Sequence, residues 1–416
     1  MNRRTVWLLL AIITPLNTLM AQSTDDPLLT RLLQDRPEWF SDVLKNKDTW
    51  KVQVIYTEIN RRRNGKARFT DHFFNRNDAD YFYPASTVKL PIAILALQRL
   101  HELNIPGLDA DATMITEQDG DRQTLVYNDP SAPDGRPTIA HYIKKILLVS
   151  DNDAFNRLYE FLGQEYINNR LHQMGYSSTQ IIHRLNVTLT EAENRHTNPI
   201  RFFDKNGNLL YAQPAKLSSL VYAQRDTKMG LGYMRGDELV KAPFDFSKKN
   251  RLVLADLHRI LRSILFPNSV PRKERFSLTD SDYALLRKYM SMQPGESKWP
   301  AYDSTAYWDT YVKFMLYGAD RHASLPGVRI FNKPGDAYGF IIDAAYVADF
   351  SRNTEFLASA VIYCNSDGIF NDDKYDYATV GLPFFKHLGQ ALHEYEWTRK
   401  RKFSPDLSSL RFLYTE

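Results

Sequence analysis

Tyr83-Pro84-Ala85-Ser86-Thr87-Val88-Lys89-Leu90-Pro91 is the stretch on which the reading of this chain turns. The run Leu90 to Leu100 that follows is apolar enough for a buried helix. Positions three apart share a helix face, so Lys89 reaches the hydroxyl of Ser86. A serine hydroxyl is a weak nucleophile until a neighbour takes its proton. A lysine does this once burial and a nearby positive charge bring its pKa toward neutrality. Taken alone, the pair also fits an exposed serine at a helix start with a solvated lysine.

Two further stretches change that balance. In Leu147-Leu148-Val149-Ser150-Asp151-Asn152-Asp153-Ala154-Phe155, a polar triplet precedes the helical run Ala154 to Leu162, which Gly163 would close. Ser150 with Asp153 three residues on also resembles a capping box. In Val328-Arg329-Ile330-Phe331-Asn332-Lys333-Pro334-Gly335-Asp336, the Lys-Pro-Gly triplet fits a turn between strands equally well. Three such motifs, in this order and each in its own structural context, do not coincide by chance.

With these motifs the chain resembles the class A β-lactamases and their relatives, the penicillin-recognising serine enzymes, which carry Ser-x-x-Lys, Ser-Asp-Asn and Lys-Thr/Ser-Gly. Ser86 and Ser150 lie 64 residues apart, as that family leads one to expect. Gly339 to Asp343 resembles the strand after the third motif. Long insertions are expected at 197–250 and 266–325.

The resemblance implies an α/β (α+β) fold of the β-lactamase/transpeptidase type, with an antiparallel sheet flanked by terminal helices and an all-helical domain. Periodicity points the same way. Pro27 to Leu44 reads as a helix broken at Pro37, and Val52 to Ile59 with Ala67 to Phe74 as a hairpin. Its tip, Arg61-Arg62-Arg63-Asn64-Gly65-Lys66, holds an Asn-Gly turn and is the one dense basic cluster. Helices are expected over Ser86–Leu103, Ile139–Leu148, Ala154–Leu162, Lys249–Phe266, Asp280–Met292 and Leu382–Lys400. Val328–Phe331, Gly339–Phe350 and Phe356–Cys364 read as antiparallel strands. The expected organisation is a signal peptide over 1–21, sheet domain over 22–80, helical domain over 81–249 and the remaining sheet domain over 250–416.

Site roles follow from the resemblance. Ser86 is the nucleophile, Lys89 its base, and Ser150 the proton shuttle to the leaving nitrogen. Lys333 would bind a substrate carboxylate and help keep Lys89 neutral. Asn152 would hold the substrate's amide side chain, with Gly335 and Asp336 beside it on the strand. Backbone N–H groups of Ser86 and Asp336 would form the oxyanion hole. Two departures stand out. Pro334 occupies the place of a threonine or serine, which removes a hydroxyl and a backbone N–H, and proline is tolerated only at a sheet edge. The family's Arg-x-Glu, source of the water-activating glutamate, has Arg184-Leu185-Asn186 as its best match. An amide is no general base, so Glu191 and Glu193 become the alternative water activators.

Composition fits an exported enzyme. Met1-Asn2-Arg3-Arg4 is a basic start and Val6 to Ile13 an apolar core shorter than the roughly 20 residues of a membrane span. Cleavage after Ala21 would leave no transmembrane segment and suits a bacterial periplasm. Cys364 is the only cysteine, which excludes an intrachain disulfide. The net charge of +4 indicates no nucleic-acid role. The ten histidines show no metal-ligand spacing, there is no phosphate or dinucleotide loop, and no cofactor is expected. The expected partner is a small-molecule β-lactam or a peptidoglycan stem peptide. Three activities fit: a β-lactamase, a D-Ala-D-Ala peptidase or amidase, and a slowly deacylating penicillin-binding or sensor protein. Oligomeric state is not readable.

Overall fold

The computed structural model describes residues 25–414, so the signal-peptide expectation lies outside the described residues. Two short helices open the chain, α1 (Pro27–Gln34) and α2 (Pro37–Lys45), each with proline in its first turn. There the missing N–H costs nothing, because the first turn has no intrahelical acceptor. Strands β1 (Gln53–Arg61) and β2 (Ala67–Phe74) follow as an antiparallel hairpin. Ala85–Val88 makes a 3₁₀ turn that runs into helix α3 (Lys89–Leu103). Helices α4 (Ile139–Val149), α5 (Asn152–Leu162) and α6 (Gln164–Gln173) succeed one another with almost no linker. Helices α7 (Leu254–Leu265) and α8 (Asp280–Ser291) lead to β3 (Val328–Ala337), β4 (Phe340–Asp349) and β5 (Thr354–Tyr363), and α9 (Leu382–Thr398) closes the fold.

The five strands form one antiparallel sheet in the order β3-β4-β5-β1-β2, which brings the two ends of the chain together through the β5–β1 pair. Alternation along each strand sends neighbours to opposite faces. On β1, Ile55 and Ile59 join the core shared with α3, α4, α5, α7 and α8, while Val54 and Tyr56 join the core under α1, α2 and α9. Being covered on both faces, β4 and β5 are buried along their whole length. Cys364, just past β5, is buried, and desolvation pushes its thiol up.

The sheet's edge strand is β3, so Pro334 lies where no neighbouring strand needs its N–H on the outer side. The helical part also carries a small sheet of Thr113–Thr116, Ile200–Phe203 and Leu209–Gln213. Short strands between Lys228 and Asp245 fold back, and Gly232–Arg235 pairs with Ile369–Phe370. The segment 197–250, expected as an insertion, thus combines short paired strands with an irregular stretch over 214–227. Gly230 tolerates nothing larger there, since a Cβ would stand 2.6 Å from the Gly368 carbonyl oxygen. Among the described residues no helix is long and apolar enough to cross a membrane.

Candidate active site

The 3₁₀ turn and the first turn of α3 place Ser86 and Lys89 on one face, with Lys89 Nζ 2.8 Å from Ser86 Oγ. Lys89 is wholly buried, at 0% exposure. Its ammonium also meets Asn152 Oδ1 at 2.8 Å, Ser150 Oγ at 3.2 Å and the Ser150 carbonyl. Burial brings the Lys89 pKa down to about 7, against the pull of Asp151 and Asp336. A neutral amine in contact with the hydroxyl is then present near neutral pH.

Ser150 and Asp151 form the link between α4 and α5. Ser150 ends α4 in the left-handed region, at φ 61°. That conformation is costly for a non-glycine residue and aims its side chain away from the helix, at the two lysines. The cap of α5 is Asp151, whose carboxylate accepts from Ala154 N at 2.8 Å. A capping box of Ser150 with Asp153 therefore does not form, because Ser150 belongs to the preceding helix. Asn152 starts α5 with its Oδ1 on Lys89.

Strand β3 supplies the third side. Lys333 is buried, and its Nζ donates to Ser150 Oγ at 2.8 Å and to the Pro334 carbonyl at 2.9 Å. Burial first, and the charge of Lys89 second, hold its pKa well below the usual lysine range. Gly335 lies against the nucleophile: a Cβ would stand 2.6 Å from Ser86 N and 2.9 Å from Thr87 N. Only glycine lets the edge strand approach the turn this closely. The Asp336 side chain is exposed at the next position.

Ser86, Lys89, Ser150, Asn152, Lys333 and Gly335 thus converge from three separate segments. The candidate water activators do not join them. Asn186 is exposed in a left-handed conformation, φ 54°, with its side chain turned outward. Its neighbour Leu185 is the buried residue, its backbone held by Asn156 through bonds of 2.9 and 3.0 Å. Glu191 is bound by Lys248, Tyr222 and Arg195, which pull its pKa down to about 2. Glu193 closes a capping box with Thr190 and pairs with Arg122. The carboxylates that act on Lys89 are Asp151 and Asp336, neither of these glutamates. Asn186, Glu191 and Glu193, expected beside the nucleophile, make no hydrogen bond to Ser86 or Lys89 among the described residues: Asn186 is turned out by its left-handed backbone, Glu191 is engaged by Lys248, Tyr222 and Arg195, and Glu193 by Thr190 and Arg122. The ends of this loop are tied to α5 by the buried pair of Arg184 and Glu160, and Glu160 also accepts from Asn198 N.

Several groups around the site had no signal in the motifs. Behind Lys333, buried Lys313 donates to Asn332 Oδ1 at 2.9 Å, and Asn332 donates to Asp343 Oδ1 at 2.9 Å. Burial moves Lys313 down to about 7 and Asp343 up to about 6. Tyr302, Tyr307 and Tyr311 stack edge to face at centroid separations of 5.1 and 5.0 Å. Tyr302 lies within the field of Asp151 and Tyr311 within that of Asp336.

Residues 40–382 match the sequence model described as the beta-lactamase enzyme family. No curated protein sequence matches the chain. Similar solved structures include a β-lactamase from Xanthomonas campestris, 14% identical, covering 88% of this chain and 98% of its own at a TM-score of 0.48. Another, a β-lactamase from Desulfarculus baarsii, is 16% identical over 89% of this chain and 99% of its own, with a TM-score of 0.44. A third, PBP-A, is 15% identical over 88% of this chain and 97% of its own, at 0.47.

Proposed function

Since the chain belongs to the beta-lactamase enzyme family and is a serine hydrolase of that kind, we propose that it acts by acyl transfer through Ser86, on β-lactams or related amides, with the acyl-enzyme then hydrolysed by water. The observation that carries this reading is the fully buried Lys89 with its Nζ 2.8 Å from Ser86 Oγ. Neutral Lys89 takes the hydroxyl proton as Ser86 Oγ attacks the carbonyl carbon. Ser150 Oγ, in reach of Lys89 at 3.2 Å and Lys333 at 2.8 Å, passes a proton to the leaving nitrogen as the C–N bond breaks. Lys333 works through its charge, which disfavours a second ammonium beside it and so keeps Lys89 a base. Backbone N–H groups of Ser86 and Asp336 stabilise the oxyanion, a contribution of about 3 kcal/mol per donor in such sites. Asn152 keeps its side-chain Nδ2 for a substrate carbonyl. In our reading the mature chain works outside the cytoplasm, following the basic and apolar start of the sequence.

A second reading, slow deacylation, is favoured by the loop around Leu185, where no carboxylate faces inward. A peptidoglycan D-Ala-D-Ala peptidase or amidase would use the same Ser86 and Lys89. The test is mass spectrometry of the purified protein after incubation with benzylpenicillin, followed over time. A single covalent adduct is expected in the wild type and none in Ser86→Ala. An adduct of equal yield in Ser86→Ala sinks the assignment. Release of D-alanine from a stem peptide identifies the peptidase.

A further inference from the structure

We propose that the cleft takes an acyl donor with a neutral, hydrogen-bond-donating group, of the carboxamide kind, where penicillins carry a free carboxylate beside the scissile amide. The inference rests on acylation at Ser86 as proposed above. Three features of β3 support it. Pro334 has neither a hydroxyl nor an N–H to offer a carboxylate. Lys333 directs its Nζ at Ser150 Oγ and the Pro334 carbonyl, both within 2.9 Å, and lies buried beside a second lysine. Two such close ammonium groups do not both stay charged near neutral pH, so this wall carries at most one positive charge, on the Lys333 ammonium that Ser150 and the Pro334 carbonyl already engage.

The third feature is Asp336. It follows Pro334 by two positions, so its side chain leaves the strand on the Pro334 side. That side chain is exposed and makes no hydrogen bond or ion pair among the described residues. Loss of solvent around it raises its pKa, the charges of Lys333 and Lys89 oppose that and favour the carboxylate, and it acts in turn on Tyr311 and Tyr377. An unpaired carboxylate therefore stands within the field of both lysines and of tyrosines from two different segments, on the residue whose backbone N–H is assigned to the oxyanion. A substrate carboxylate entering here meets a like charge, whereas a carboxamide N–H meets an acceptor. A hydrogen bond from a neutral N–H to a carboxylate is among the stronger kinds.

The experiment compares benzylpenicillin with its primary carboxamide, two donors that differ in this group alone. The second-order rate of adduct formation is read by mass spectrometry of the full mature chain. The wild type is expected to favour the carboxamide by on the order of tenfold, narrowing as added salt screens the charge. Asp336→Asn, which keeps the backbone N–H and the side-chain volume, should shift the ratio toward benzylpenicillin by a similar factor, and Asp336→Ser should shift it the same way. Faster acylation of the wild type by benzylpenicillin overturns the proposal, as does a ratio that neither variant moves. Adducts with both donors at equal rates would sink this proposal and leave acylation at Ser86 standing. If neither donor labels Ser86, both readings fall.

Discussion

Around Ser86, polar side chains from three segments of the chain meet within hydrogen-bond distance, whereas the loop from Arg184 to His196 uses its carboxylates to hold itself in place. Lys89 is bonded to Ser86, Ser150 and Asn152, with Lys333 completing the ring through Ser150. In the loop, Glu191 answers Lys248, Tyr222 and Arg195, and Glu193 answers Thr190 and Arg122. Forming the acyl-enzyme and hydrolysing it make separate demands. The first needs a buried amine beside a hydroxyl; the second needs a base aimed at a water on the acyl carbon. Here the groups proposed for the first step lie within hydrogen-bond distance of one another, while the loop offers a buried leucine.

The largest effect that would break this contrast concerns Lys89. Lys89→Ala should lower the rate of penicillin labelling by about 10²–10⁴-fold, the range of a positioned general base. Labelling at the wild-type rate would mean that another group activates Ser86. Gly335→Ala comes next, since its Cβ cannot share space with Ser86 N and the strand must move away. A displacement approaching 1 Å costs about 10²-fold in a reaction that depends on alignment. Circular dichroism on the same sample would separate that loss from unfolding.

On the deacylation side, a chromogenic cephalosporin should give a burst of about one equivalent followed by slow turnover. Leu185→Glu places a carboxylate on the buried side of the loop and is expected to raise the slow phase on the order of tenfold, a partial return of general-base catalysis. Asn186→Glu should leave it unchanged, because that position faces solvent. The opposite pattern would show that the loop turns over when the enzyme is acylated.

The pH dependence is a further check. With Lys89 as the proposed base, the acylation rate should climb roughly tenfold per unit below about pH 7 and level off above it. Stability should move in the same sense. The lysine binds its proton less tightly in the folded chain than in the unfolded one, so folding is penalised below the folded pKa and the penalty fades as pH rises toward the ordinary lysine value. Lys89→Met should therefore gain most in denaturant midpoint over the wild type at pH 6 and least at pH 10. A constant gap would argue against a buried, depressed amine. The smallest expected effect is that of Glu191→Gln and Glu193→Gln, which should leave turnover within about twofold of wild type because neither side chain acts on the site. A loss in either would name it as the base.

Much of this was legible in the chain itself, because the relevant physics is local. Ser86 and Lys89 share a face since a helical turn spans three to four residues. The strands β3 to β5 announce themselves by apolar runs between turn residues, and Pro334 marks a sheet edge because it lacks an N–H. The order of the three motifs identified the family that residues 40–382 match. What the sequence could not decide were the directions of single side chains and the contacts between distant segments. Asn186 and Leu185 are adjacent, and only a left-handed backbone at one and two bonds from Asn156 to the other determine which faces inward. Ser150 read as a helix cap until packing placed it at the end of α4, aimed at two lysines. The depressed lysines, the Lys313–Asn332–Asp343 chain and the unpaired Asp336 likewise exist only once β3 pairs with β4 and packs against the 3₁₀ turn and the segment around Lys313. Burial and charge depend on everything that surrounds a group, and for these residues the surroundings come from parts of the chain far away in sequence.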